Sequence, residues 1–286
     1  MTLAQKILHL YTAFVFGAGC WLLVCYGKKH TQPTRHIATW NISGLAFSLM
    51  LWALFAGILI AQGSMGALLK YYGQEELSPA WGAFFSSIAM HGSILLLMFV
   101  AWIGWKKDIF SSISAVPYSI GKALCQGVLA FVMAMPIIWV CNKAWVFLLS
   151  KLHALGIDIT AEPQNLVEVI AETSSMLPTL LMGVLAVCIA PITEEVVFRG
   201  IIYRYFKGRV ESTPALLLSA LLFACMHFNL LSFLPLFLLG VLLGLSYEWS
   251  GNIGVPIAFH AFFNLNTYLV ILIQPETIEG IGCLFP

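Results

Sequence analysis

Apolar residues run along this chain in blocks of roughly 20, apolar on every side, separated by short polar stretches. The blocks fall at 7 to 26, 40 to 62, 82 to 105, 123 to 149, 177 to 206, 214 to 231, 233 to 249 and 253 to 273. A transmembrane helix needs ~20 mostly apolar residues. The pattern therefore predicts an all-α, polytopic integral membrane protein of about eight transmembrane helices. A closed barrel would need alternating strands of ~10 residues, which these blocks do not show. The fifth block is long enough to protrude from the bilayer. Breaks gather at His30 to Arg35, Gln74 to Pro79, Lys106 to Pro117, Lys151 to Glu172, Arg209 to Pro214 and Ser250 to Gly254. Inside the longest break, Leu166, Val167 and Ile170 sit at helical spacing and predict a short interfacial helix.

Composition agrees with the pattern: 60% of residues are hydrophobic and 9% charged, too few charges to cover a water-soluble core. The bilayer is the solvent and the first partner. A net charge of +1 without a basic stripe excludes nucleic acid. Basic residues are distributed unevenly between alternate loops. Lys28, Lys29, Arg35, Lys106, Lys107, Lys122, Arg204, Lys207 and Arg209 fall in one set, and Lys6, Lys70, Lys143 and Lys151 in the other. By the positive-inside rule the first set is cytoplasmic, which leaves both termini non-cytoplasmic and suits a bacterial inner membrane. The first block reads as a retained helix rather than a signal peptide, because only Lys6 precedes it and Lys28 and Lys29 follow it. Six of the seven cysteines, all but Cys283, lie within apolar blocks without metal-type spacing and read as small core residues.

Residues 1–176 carry no legible motif, and the chemistry lies in 177–273. The segment Pro191-Ile192-Thr193-Glu194-Glu195-Val196-Val197-Phe198-Arg199-Gly200 places three charges in an apolar helix. Each costs roughly 2.5 to 3.5 kcal/mol at a bilayer centre on insertion scales, so they must be paired or hydrated. Glu195 and Arg199 share a face at i,i+4, and Glu194 points about a quarter turn away. Glu195 is thus placed to neutralise Arg199, which leaves Glu194 free to face a cavity. The plainer alternative is a charged helix end continued by Arg204, Lys207 and Arg209. The next block carries His227, as far from the turn near Val210 and Glu211 as Glu194 is, so an antiparallel pair sets both at one depth. The last block sets His260 and Asn264 on one face at i,i+4, as a shared ligand site or as an interhelical hydrogen bond. Glu248 reads as structural. A carboxylate and an imidazole at one depth can activate water, and a second imidazole with an amide can stabilise an oxyanion, which is the inventory of a hydrolase. Neither a Gly-x-Ser-x-Gly elbow nor a His-Glu-x-x-His helix is present.

Three motifs in this order resemble the CPBP family, which contains the type II CAAX prenyl endopeptidases and their bacterial relatives, the Abi proteins. They are Glu-Glu-x-x-x-Arg at Glu194, Glu195 and Arg199, Phe-x-x-x-His at Phe223 and His227, and His-x-x-x-Asn at His260 and Asn264. The resemblance implies an intramembrane endopeptidase. Glu194 and His227 would activate water, His260 and Asn264 would form the oxyanion hole, and Glu195 and Arg199 would support the site. It implies no required cofactor on the favoured reading. Zinc held by Glu194, His227 and His260 is the alternative. The implied partner is a membrane-associated peptide or protein tail, such as a bacteriocin or pheromone precursor, with room for a second protein that presents it. Two rival classes use the same residues: a non-catalytic membrane binding or immunity protein, and a proton-coupled transporter.

Overall fold

The computed structural model describes residues 2–27, 37–73, 77–104, 113–115, 119–157, 165–173 and 175–274. Lys28, Lys29, Arg35, Lys106, Lys107 and Cys283 lie outside the described residues. The described residues are helical almost throughout, without a strand. The helices are α1 (Leu3–Gly27), α2 (Gly44–Tyr71), α3 (Pro79–Gly104), α4 (Ile120–Ala154), α5 (Asn165–Glu172), α6 (Met176–Lys207), α7 (Ser212–Cys225), α8 (Leu230–Ser250) and α9 (Gly254–Ile273).

Seven of these are long and apolar enough to cross a membrane, and α7 is a shorter apolar helix. The expected span from 214 to 231 stops at Cys225. At ~1.5 Å per residue, the 14 residues of α7 reach only about 21 Å against a hydrocarbon core of ~30 Å. The stop is local chemistry. Phe228 takes a left-handed φ of 47°, and the Asn229 side chain caps α8 by accepting from the Ser232 amide at 2.9 Å. His227 therefore sits on a turn inside the bundle rather than mid-helix. The 32 residues of α6 exceed the hydrocarbon thickness, as expected of the fifth block. The expected helix in the acidic loop is α5, with Ile170 buried and Glu168 and Glu172 exposed.

Helix α8 is the most buried span and α2 the most exposed. Helix α4 packs along α1, α8 and α9, while α7 and α8 form a hairpin. Small residues set that hairpin's spacing. A Cβ on Gly240 would lie 3.0 Å from Ala220, and one on Gly244 would lie 2.2 Å from Leu216. The Gly240 to Gly244 pair is thus consumed within the chain. None of the six described cysteines is buried. Four are exposed and two, Cys25 and Cys141, partly exposed, which corrects the core assignment, because lipid accepts a small apolar side chain as readily as a core does.

One end of the bundle is tied together by polar contacts. The Trp40 amide donates to the Arg204 carbonyl at 3.1 Å, the Arg204 Nε donates to the Ala38 carbonyl at 2.8 Å, and the Arg209 guanidinium donates to the Ile42 carbonyl. The Ala115 amide donates to the Gly251 carbonyl at 2.7 Å, and Tyr247 donates to the Ile113 carbonyl. Glu248 accepts from Tyr203 at 2.6 Å and pairs with Lys207, the structural role expected of it.

Candidate active site

Helix α6 is not a uniform α-helix. Two stretches, Leu185–Ile189 and Val196–Tyr203, are wound as π-helix, and they bracket Glu194 and Glu195. The first stretch has a readable consequence. The Ala190 amide, the regular partner of the Ala186 carbonyl, donates to Leu185 instead. The next amide that could serve Ala186 belongs to Pro191, which has none. The orphaned carbonyl accepts from Asn264 Nδ2 at 2.8 Å. Residue 264 is thereby fixed across the interface between α6 and α9, with its second N–H and its carbonyl still uncommitted. In the second stretch the Phe198 carbonyl accepts from Ser219 at 2.9 Å.

Glu194 and Glu195 diverge as their angular separation requires. Glu195 is fully buried, and its Oε1 accepts from Arg199 at 2.8 Å and lies 2.9 Å from His260 Nδ1. Arg199, also buried, donates to the Gly240 carbonyl at 2.9 Å and stacks on Phe223 with 4.8 Å to the ring centroid. Phe223 also contacts the rings of His227 and His260, with centroids 4.7 and 5.8 Å away. Its carbonyl accepts from His227 Nδ1 at 2.7 Å. An aromatic residue four positions before the histidine thus holds the guanidinium and both imidazoles.

Hydrogen-bond partners fix the tautomers. A carbonyl only accepts, so His227 Nδ1 carries a proton, and the Arg-paired Glu195 carboxylate demands a proton on His260 Nδ1. Each ring therefore has Nε2 left for chemistry. His260 Nε2 lies 3.9 Å from Glu194 Oε2, a buried atom without a hydrogen-bond partner among the described residues. Glu194, His227, His260 and Asn264 all line one cavity of about 250 Å³. Glu195 and Arg199 stand behind it.

The same cavity receives a residue that sequence reasoning missed. His91 on α3 is buried and lines the cavity, with Nδ1 2.8 Å from the Thr193 hydroxyl. That hydroxyl already donates to the Ala190 carbonyl at 2.9 Å, so His91 Nδ1 is the donor to it. Residues 1–176, which carry no legible motif, thus supply a third imidazole to the cavity. A lone histidine in an apolar helix carries no motif, and only its match in depth to Glu194 could have signalled it. Among the described residues, no three His, Cys, Asp or Glu side chains converge as a metal site. Glu194, His227 and His260, the set named for zinc, share the cavity.

A family model described as type II CAAX prenyl endopeptidase Rce1-like matches residues 176–266. An Escherichia coli protein described as an uncharacterized 24.3 kDa protein is 32% identical over 176 residues, covering 59% of this chain and 74% of its own. The membrane-embedded CAAX protease MroQ of Staphylococcus aureus is 34% identical over 98 residues, 32% of this chain and 39% of its own. The uncharacterized protein YpbD of Bacillus subtilis is 38% identical over 71 residues, 23% of this chain and 33% of its own. No solved structure matches.

Proposed function

From the premise that this integral membrane chain belongs to the type II CAAX prenyl endopeptidase Rce1-like family, we propose that it is an intramembrane endopeptidase acting on a membrane-associated peptide or protein tail. The observation that carries the reading is Glu194 Oε2, without a hydrogen-bond partner among the described residues and buried in a cavity that two imidazoles also line with their Nε2 atoms uncommitted there. Glu194 and His227 Nε2 accept hydrogen bonds from a water, and one of its protons passes to this pair as the oxygen attacks the scissile carbonyl carbon. The carbonyl π electrons move to oxygen. His260 Nε2–H and the second Asn264 N–H donate to that oxyanion, and the proton taken from water goes to the departing amine as the C–N bond breaks.

Charge balance supports the donor role of His260. Two carboxylates, Glu194 and Glu195, act on the buried Arg199 cation in a low-dielectric interior. His260 lies between the two carboxylates, with Nδ1 2.9 Å from Glu195 Oε1 and Nε2 3.9 Å from Glu194 Oε2, so a ring that donates from both nitrogens suits the negative charge on either side. No step needs a metal, since activation and stabilisation are each assigned to side chains already in place.

The test is cleavage of a library of membrane-anchored peptides by purified protein in detergent. Glu194→Gln and His227→Ala are each expected to abolish cleavage, and a chelator to leave it unchanged. Cleavage that survives Glu194→Gln overturns the reading, and chelator loss restored by zinc replaces it with a metalloenzyme.

A further inference from the structure

The cavity has a direction. On α6 its lining residues run from Met182 to Glu194 and none lies beyond, while on α9 they run from His260 to Ile271 and none lies before. Helix α6 approaches the glutamates from the end where α5 lies, and α9 leaves His260 towards that same end, where Ile170, Met182 and Ile271 pack together. Val167 and Ile170 of α5 complete the wall. In the opposite direction the interior is filled by Arg199, Tyr203, Phe223 and Tyr247, each at most 1% exposed. The cavity is blind on that side.

The blind end is the basic one. Arg204, Lys207 and Arg209 lie there, and residues 38–42, which follow Lys28, Lys29 and Arg35 in sequence, are hydrogen-bonded to Arg204 and Arg209. Residues 113–115, within the loop that follows Lys106 and Lys107, are bonded at the same end to Tyr247 and Gly251. Setting aside Arg199, 9 of the remaining 13 Lys and Arg residues fall, by sequence, in or beside the segments that connect the helices at this end, against 4 elsewhere. Short basic loops stay on the cytoplasmic side.

We infer that substrate enters this site from the non-cytoplasmic side, beneath α5, so that the class of substrate is a translocated peptide or an outward-facing tail of a membrane protein rather than a cytosolic C-terminus. This rests on the peptidase reading for its chemistry, and on the cavity's geometry for its direction. An extended segment is required, because a helix's scissile carbonyl is closed off by its own hydrogen bonds. The apolar wall at Val167, Ile170 and Ile271 favours apolar side chains around the cleaved bond.

Two measurements decide it. Glu168 on α5 and Val210 between α6 and α7 are exposed at opposite ends. In bacterial cells, a membrane-impermeant maleimide is expected to label Glu168→Cys in intact cells above the wild-type background, and Val210→Cys only after permeabilisation. The reverse pattern overturns the inference whether or not any peptide is cut. A library peptide cleaved in detergent is then offered to right-side-out and inside-out membrane vesicles, with cleavage expected only in the former. Cleavage confined to inside-out vesicles overturns the inference. Absence of cleavage in detergent sinks the peptidase reading instead and leaves the labelling to decide the direction of the cavity.

Discussion

Glu194 and Glu195 are chemically identical neighbours, and the structure assigns them opposite burdens. Glu195 is held by Arg199 and His260, so removing its charge leaves a buried guanidinium without its partner. Glu195→Gln is expected to cost about 3 to 5 kcal/mol. Glu194 keeps one oxygen buried without a hydrogen-bond partner among the described residues, so Glu194→Gln gives up no hydrogen bond at that atom and is expected to leave stability unchanged or raised while cleavage is lost. Thermal unfolding in detergent, run beside the peptide assay, checks both. Equal destabilisation by the two substitutions would mean that both carboxylates are structural. This divergence was legible because i,i+4 spacing pairs Glu195 with Arg199 by geometry alone. The bond from Glu195 to His260 was not, since it joins residues 65 apart through a tertiary contact. His91 was hidden for the same reason, being significant only through the helix that faces it.

Helix α6 shows what periodicity cannot reveal. Its apolar residues surround it, so the sequence carries no phase from which a departure from 3.6 residues per turn could be read. The π-helical stretches at Leu185–Ile189 and Val196–Tyr203 were therefore invisible, although the spans of the long helices were legible from their length. The early stop of α7 was equally hidden, because the residues that break it, Phe228 and Asn229, follow an apolar stretch, 215–227, without glycine or proline. Pro191 was visible, but not its effect on Ala186. That effect is testable as a pair. Asn264→Ala leaves the Ala186 carbonyl unsatisfied and is expected to cost about 1 to 3 kcal/mol. Pro191→Ala supplies an amide one residue beyond the regular partner, in the register that Ala190 already uses to reach Leu185. The double variant is expected to recover most of the loss in thermal unfolding. If the two effects simply add, Asn264 is not capping that carbonyl.

At the scale of the molecule, the three motifs fall within α6 to α9, and the rest of the chain was legible as spans without purpose. The structure makes those helices part of the site. Helix α3 brings His91, α5 walls the cavity, and α4 packs along α9 so closely that only a residue without a side chain fits at their crossing. A Cβ on Gly127 would lie 2.5 Å from the Ala258 Cβ and 2.9 Å from the Phe259 amide nitrogen, beside His260. Gly127→Leu is therefore expected to push α9 away from α6, loosen the contacts of His260 with Glu195 and of Asn264 with Ala186, and lower cleavage sharply while touching no motif residue. Gly121→Leu is the control on the same helix, since a Cβ there meets nothing within 4 Å. It is expected to behave as wild type in cleavage and in thermal unfolding. If Gly127→Leu matched Gly121→Leu in both, the N-terminal helices would be a support that the catalytic helices do not need, and the site would be the property of α6 to α9 alone.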